Sequence, residues 1–360
     1  MTPALPDSIA VAPYRLDPGT LITARSYLID RAVPDCEIIA LPGREAPGGE
    51  IPYGLVDRMA PPPRRGGWRG FLKGEARRRP VALDGRLGMD CRIVGPENWS
   101  HFLNIHLPLA FELLRRLDLS PADLTLILPA RTPGFIRAAA HHLGLSTQCS
   151  HGPVEGPGIA YRLSVNITVP DRRKWLEDAG VIDRLAGMAG TDGGGSALPR
   201  RVFLARRKQR AITNQPEIEA LLHPLGYVTL YPEDLPVAQQ FRLFNTAERI
   251  VAVHGAGLAP LLYRHPSSPL RHLVEILPCG HMTDFFRLMA QQAGVSWTGV
   301  RGRLKPEYVA PAYREHRVFK QFSLDNFEVD PVSLDRALKV EAAVLPAGPP
   351  KAGRLPADHG

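Results

Sequence analysis

No apolar run in this 360-residue chain approaches the roughly 18 to 20 residues that a membrane-spanning helix needs, which excludes a polytopic membrane protein. The N-terminus, MTPALPDSIAVAPYRL, has no basic stretch followed by an apolar core and does not read as a secretory signal. Cysteine is sparse. Cys36, Cys91, Cys149 and Cys279 stand far apart with no C-x-x-C among them. That argues against a zinc ribbon, a redox motif or a disulfide scaffold, and leaves reduced thiols in a cytoplasmic protein as the simplest account. Several catalytic signatures are missing as well. There is no H-E-x-x-H, G-x-S-x-G, G-x-x-x-x-G-K-[ST] or D-x-D, so zinc proteases, elbow-type serine esterases, P-loop enzymes and D-x-D metal-dependent transferases lose their usual marker.

What is there is an ordinary globular composition, with 44% hydrophobic and 22% charged residues and a length that suggests two domains. The formal charge is +8, carried mostly by arginine, and favours anionic partners. The stretch RRGGWRGFLKGEARRR, Arg64 to Arg79, holds seven basic residues and one acid. It reads as a basic loop or, through Trp68 and Phe71, as a peripheral contact with an anionic membrane surface. No nucleic-acid-binding motif accompanies the charge, and no nucleic-acid partner is expected.

The first 80 residues are rich in proline and glycine and read as irregular. From Asn98 to Leu117, Phe102, Ile105, Leu109, Leu113 and Leu117 recur at helical spacing. LTLILPA reads as a buried strand and PGFIRAAAHHLGL as the helix after it, with His141 and His142 on its surface. Residues 150–170 read as extended segments, and 171–189 as a helix weakened by Gly180 and Gly187. TDGGGSALP, 191–199, is the best linker. Beyond it, RVFLA, YVTLY, RIVAVH, HLVEILP and VSWTGV alternate with helical PEIEALLHPL, VAQQFRLFNTA, GLAPLLY and DFFRLMAQQAG. Such alternation predicts an α/β fold with a parallel sheet, whose strand carboxyl ends share the edge where ligands bind. Asn214 with Glu217 predicts a capping box.

The strongest local signal is RIVAVHGAGLAPLLY. A buried strand ends at His254, a Gly255-Ala256-Gly257 turn follows, and a short helix begins near Leu258. Glycines allow close backbone approach and a helix start offers free amides, a combination suited to a diphosphate; the plain alternative is a tight turn that binds nothing. It is not a dinucleotide fingerprint, because Pro260 stands where the third glycine belongs and too little chain follows. Glu275 is placed to bind a ribose hydroxyl or, failing that, to pair with an arginine such as Arg271. LARRKQRAITN brings Arg206 and Arg210 to the same sheet edge, where guanidinium groups grip phosphate oxygens. In ENWSHFLNIHLPL, Trp99, His101 and His106 stand at a helix start, and His101 is either a structural residue or a general base.

NWSHFLNIHLPL, then LARRKQRAITNQPEIEALLHPLGYVTLYPEDLPVAQQFRLFNTAERIVAVHGAGLAPLLY, then LRHLVEILP, together resemble glycosyltransferase family 61, including its bacterial capsular-polysaccharide members. The likeness runs from about residue 200 to 295 with a shorter anchor at 97–115. It implies a GT-B-like architecture, two Rossmann-like domains facing across a cleft: residues 1–195 as the acceptor-side domain and 200–305 as the nucleotide-sugar-binding domain. Residues 306–345 would pack back on the N-terminal domain, and 346–360 would be a disordered tail. The activity implied is inverting and metal-independent, moving a sugar from a nucleotide sugar to a saccharide or lipid-linked saccharide in capsular or exopolysaccharide synthesis. No cofactor is expected beyond the donor as co-substrate, and the location would be cytoplasmic or peripheral at the inner membrane face. Arg206, Arg210 and Asn214 match the family's basic motif, His254, Gly255, Ala256, Gly257 and Leu258 its glycine motif, and Glu275 its following acid. His101 matches the N-terminal histidine and is the expected catalytic base, with Asp90 and Glu97 as alternatives. Pro260 and Gln215 depart from the family, which often has asparagine and an acid there. A catalytically inert sugar-binding or scaffold relative and a nucleotide-dependent oxidoreductase are the competing readings.

Overall fold

A computed structural model describes residues 36–40, 81–83, 86–92, 95–150, 154–155, 158–163, 171–188, 197–278, 280–281, 283, 285–303 and 322–339. The basic stretch 64–79, most of the expected linker and the tail 346–360 lie outside them. Among the described residues, twelve strands fall into two five-stranded sheets and a two-stranded one, β2 Val81–Ala82 with β6 Val154–Glu155. The mixed α/β class with parallel sheets is as expected.

The N-terminal sheet has the order β1-β7-β3-β4-β5, where β1 is Cys36–Ala40, β3 Leu87–Asp90, β4 Leu124–Leu128, β5 Ser146–Cys149 and β7 Gly158–Leu163. Strand β4, LTLIL, is buried at every position, as a central parallel strand covered on both faces must be. Strand β1 corrects the reading of the first 80 residues as irregular. It pairs antiparallel with β7 at the sheet edge, Cys36 opposite Leu163. Helix α1, Leu107–Arg116, links β3 to β4, and α2, Gly134–His142, links β4 to β5. The expected helix 171–189 is broken at Gly180 (φ 64°) into α3, Asp171–Asp178, and α4, Val181–Met188. His142, expected at the surface, stacks on Phe241 with ring centroids 5.9 Å apart.

The helix leading into α1 is not regular. After one turn at Trp99–His101 it widens into a π segment, Phe102–His106. The cause is local. Leu107 N–H bonds to Phe102 O rather than Leu103 O, and Pro108 has no N–H to give to Asn104 O. Two carbonyls are thereby released, and both find donors elsewhere: Tyr263 Oη donates to Leu103 O at 2.5 Å, and Arg172 Nη1 to Asn104 O at 3.1 Å.

The C-terminal sheet has the order β12-β11-β10-β8-β9, all parallel, with β8 Arg201–Leu204, β9 Val228–Leu230, β10 Arg249–Val253, β11 His272–Leu277 and β12 Ser296–Arg301. One face carries α5, Gln215–Leu222, and α8, Pro331–Leu338, around Phe203, Val251, Phe327 and Leu334. The other carries α6, Val237–Thr246, a 3-10 helix at Ala256–Tyr263, and α7, Phe285–Gln292, around Leu204, Phe244, Leu261 and Phe286. Residues 306–345 were expected to pack on the N-terminal domain. Their described part, 322–339, instead completes the C-terminal core through Phe327, Val329, Leu334 and Ala337. The N-terminal core continues into this half: Phe241, Ala259, Leu262 and Tyr263 belong to the cluster built on Phe102, Leu103 and Leu126. Arg173 Nη1 ties the joint by donating to Leu262 O and Arg264 O, both at 2.8 Å.

Candidate functional site

Strand order locates the site before any side chain is considered. The chain leaves β8 toward β9 on one side and then crosses to β10 on the other. The carboxyl ends of β8 and β10 therefore flank a topological switch point, the crevice where open α/β sheets take ligands. Arg206 follows β8 and the Gly-Ala-Gly turn follows β10, so the two sequence signals do meet on one edge.

They meet in contact. Arg206 Nη1 donates to His254 O at 3.2 Å. Gly255, at φ 154°, is what permits this, because a Cβ there would lie 1.6 Å from Arg206 Nη1. A Cβ on Gly257 would lie 2.6 Å from Pro232 Cγ, so this glycine lets the turn close against the loop after β9. Leu258 N–H bonds back to Gly255 O at 3.0 Å, and the helix that follows is 3-10 over Ala256–Tyr263, with Pro260 buried inside it.

Arg206 and Arg210 have no carboxylate in hydrogen-bond contact among the described residues. Arg210 Nε donates to Ser323 O at 2.6 Å. Burial lowers the Arg206 pKa, opposed in part by nearby Glu233. Burial, and next the Arg206 charge, bring Arg210 down to about 10. Both stay charged near neutrality, and an anion set between them would relieve their repulsion. The loop holding them is bent through left-handed backbone at Lys208 (φ 66°) and Arg210 (φ 56°), a conformation that costs side-chain-bearing residues about 1 kcal/mol or more each. Arg207, in the same run, is already engaged: both guanidinium ends meet Asp234 at 2.7 Å, and its plane lies 3.7 Å over the Tyr231 ring.

His281 joins this cluster, and sequence reasoning missed it. Its ring centroid is 5.2 Å from that of His254. Burial first, then the Arg210 charge and the neighbouring His254, lower its pKa to about 4, so it is neutral at physiological pH. The available signal was positional, since it lies four residues beyond β11 on the same edge.

The acid and the asparagine turn out to act inside the fold. Glu275 is fully buried, at 0% exposure. One oxygen lies 2.5 Å from His254 Nδ1 and the other accepts from Trp297 Nε1 at 2.7 Å. The carboxylate accepts both protons, which fixes the His254 tautomer with hydrogen on Nδ1. Glu275 thus reaches a ligand only through His254. The alternative partner Arg271 donates to Ser268 O instead. Asn214 precedes α5 as expected, but there is no side-chain cap. Its Nδ2 donates to Glu217 Oε2 at 3.0 Å and Val329 O at 2.8 Å, while its Oδ1 accepts from Val329 N–H at 3.0 Å. Asn214 therefore clamps the segment before α8.

Beside Arg206 opens a cleft of about 310 Å³. Arg206, Gly257, Leu258, Pro232 and Glu233 line it from the C-terminal half, and Trp99 and Phe135 from the N-terminal half. His101 lies on the same turn as Trp99, which packs on the 3-10 helix, and is half-buried; it is not among the lining residues. Of the alternatives to it, Asp90 holds Arg92 through both oxygens, at 2.8 and 2.5 Å, and Glu97 is exposed. No group of three or more His, Cys, Asp or Glu side chains among the described residues is placed to hold one metal ion. No helix among them is long and apolar enough to cross a membrane.

Residues 98–270 match the family model described as Glycosyltransferase 61. A rice (Oryza sativa subsp. japonica) protein described as a beta-1,2-xylosyltransferase is 29% identical over 166 residues, 43% of this chain. The chain spans 28% of that relative's length. The matched span takes in the Trp99–His101 turn, both arginines and the whole glycine turn, and over that span the chain is similar to the glycosyltransferase 61 family.

Proposed function

We propose that this protein is a glycosyltransferase that moves a sugar from a nucleotide-sugar donor to a saccharide acceptor. The observation that carries the reading is the pair Arg206 and Arg210 beside the Gly255–Gly257 turn, two cations without a carboxylate in contact among the described residues. As the glycosidic bond breaks, its electron pair stays with the nucleoside diphosphate, whose terminal oxygen gains negative charge. Guanidinium groups and backbone amides already in place stabilise that charge without reorganisation. The chemistry assigned to these residues asks nothing of a bound metal. His254, its Nδ1–H held by Glu275, presents its other nitrogen as a fixed partner. Ala256, Leu258 and the turn glycines shape the backbone there.

Inversion needs one base on the face opposite the leaving group to take the acceptor hydroxyl's proton. His101, from the N-terminal half, is our candidate, within a GT-B-like arrangement of two lobes across the cleft. The rice relative makes a pentosyl donor worth testing first. A saccharide or lipid-linked saccharide of a capsular or exopolysaccharide is the acceptor class we favour. Titration calorimetry with nucleoside diphosphates and nucleotide sugars tests the reading. Micromolar binding that disappears in Arg206→Ala with Arg210→Ala is expected; no binding to the intact protein would overturn it. His101→Ala should lower turnover about 10²- to 10⁴-fold with donor affinity near normal, and full activity would remove His101 as base.

A further inference from the structure

Trp99 sits in the N-terminal turn next to the expected base, yet it lines the cleft that begins at Arg206. Its side chain is only 8% exposed. Its indole Nε1–H is buried and has no acceptor among the described residues. A buried donor left without a partner carries the full cost of its lost hydration, and such groups are rare in native proteins unless a ligand supplies the acceptor.

The lining says what kind of acceptor. Most of the wall is apolar: Phe135, Leu235, Val253, Ala256 and Leu258. Phe135 meets Trp99 edge to face at 5.6 Å and, although 45% exposed, is held at the cleft wall. Arg207 is spent on Asp234 and Gln240 Nε2 on Leu235 O. A pyranose or pentose would bring several hydroxyls into a space with few groups to meet them. Arg206 and Glu233 are the charged exceptions in the lining; a flat heteroaromatic ring with one or two ring-edge acceptors matches the otherwise apolar slot, walled by a residue whose N–H is unsatisfied.

We propose that the cleft takes the nucleobase of the donor and that Trp99 is a specificity-determining residue, its indole N–H donating to a carbonyl or ring nitrogen of the base. This rests on the donor-site reading above and extends it: the N-terminal half contributes to donor choice as well as to the acceptor side.

The test compares Trp99→Phe with the intact protein by calorimetry, using inorganic pyrophosphate, uridine and guanosine diphosphates, and a nucleotide sugar. Phenylalanine keeps an apolar ring and removes the N–H. The expected result is a five- to thirty-fold loss for the preferred nucleoside diphosphate, about the worth of one buried hydrogen bond, with pyrophosphate affinity unchanged. Phe135→Ala, at a more exposed position, should weaken the same diphosphate several-fold and again spare pyrophosphate. An equal loss for pyrophosphate would mean that Trp99 acts through the fold, and would overturn the proposal. So would unchanged diphosphate binding, with or without a loss confined to the nucleotide sugar; the latter would assign the cleft to the transferred sugar. If the intact protein binds neither pyrophosphate nor any diphosphate, the donor-site reading itself fails, a result separable from failure of the variant arm.

Discussion

Arg206 and Gly255 depend on each other, because the guanidinium occupies the space that any side chain at 255 would need. Gly255→Ala should therefore displace Arg206 and reproduce the donor-binding loss of Arg206→Ala, about ten- to a hundred-fold for a charge-assisted contact. The double variant should bind no worse than either single one. Calorimetry on the four proteins of that cycle checks it; additive losses would mean the two residues act separately. Two histidines set a second expectation. His272, held against Thr298 at 2.9 Å, has its pKa lowered to about 4 by burial and then by Arg249, and His281 is likewise lowered to about 4. A histidine neutral in the fold but protonatable when unfolded contributes stability that is present above the unfolded pKa near 6.5. That stability is lost as pH falls toward 4. For buried His272 the loss is up to about 1.4 kcal/mol per pH unit in that window. Thermal melts from pH 7 to pH 4.5 should fall progressively, and His272→Gln should flatten the decline.

Asn214 does at the scale of an element what it was not expected to do at the scale of the ligand. Its carboxamide grips Val329 from both sides, and Phe327 and Leu334 behind it fill the face of the C-terminal sheet. Asn214→Ala should destabilise the fold by about 1–3 kcal/mol and raise hydrogen exchange selectively across 322–339, while nucleotide affinity changes little. The contrast indicates how far this protein can be read from its sequence. The C-terminal sheet was legible because strands and helices alternate along the chain from β8 and α5 to β11 and α7, so the pattern is local. The same locality made Arg206 and the glycine turn legible, since each sits where its strand ends. Strand β1 was not, because its partner among the described residues, β7, lies more than a hundred residues on. Glu275 looked like a strand-end acid, but its partners His254 and Trp297 come from two flanking segments that spacing alone does not align. His281 and the slot under Trp99 were hidden for the same reason, as both depend on which loops fold over one edge.

Across the whole molecule, the two sheets are joined by one apolar cluster and by donors that reach from one half to the backbone of the other. Tyr263→Phe removes the bond to Leu103 O and should cost about 1–2 kcal/mol. Arg173→Met, which leaves the carbonyls of Leu262 and Arg264 unmet, should cost about 2–4 kcal/mol. In calorimetry both should shift a single transition downward; two resolved transitions would mean the halves unfold independently. The tyrosine tie ends on the π segment at Phe102–His106. A regular helix advances about 100° per residue, so one surplus residue rotates everything upstream of it by about that angle. Removing a residue between Phe102 and His106 would let the coil rewind, return Leu107 N–H to Leu103 O, and evict the tyrosine hydroxyl. It would also turn Trp99 and His101 toward a different quarter of the surface. The spacing between that tryptophan–histidine turn and Pro108 is therefore intolerant of insertion and deletion even though no catalytic group lies within it.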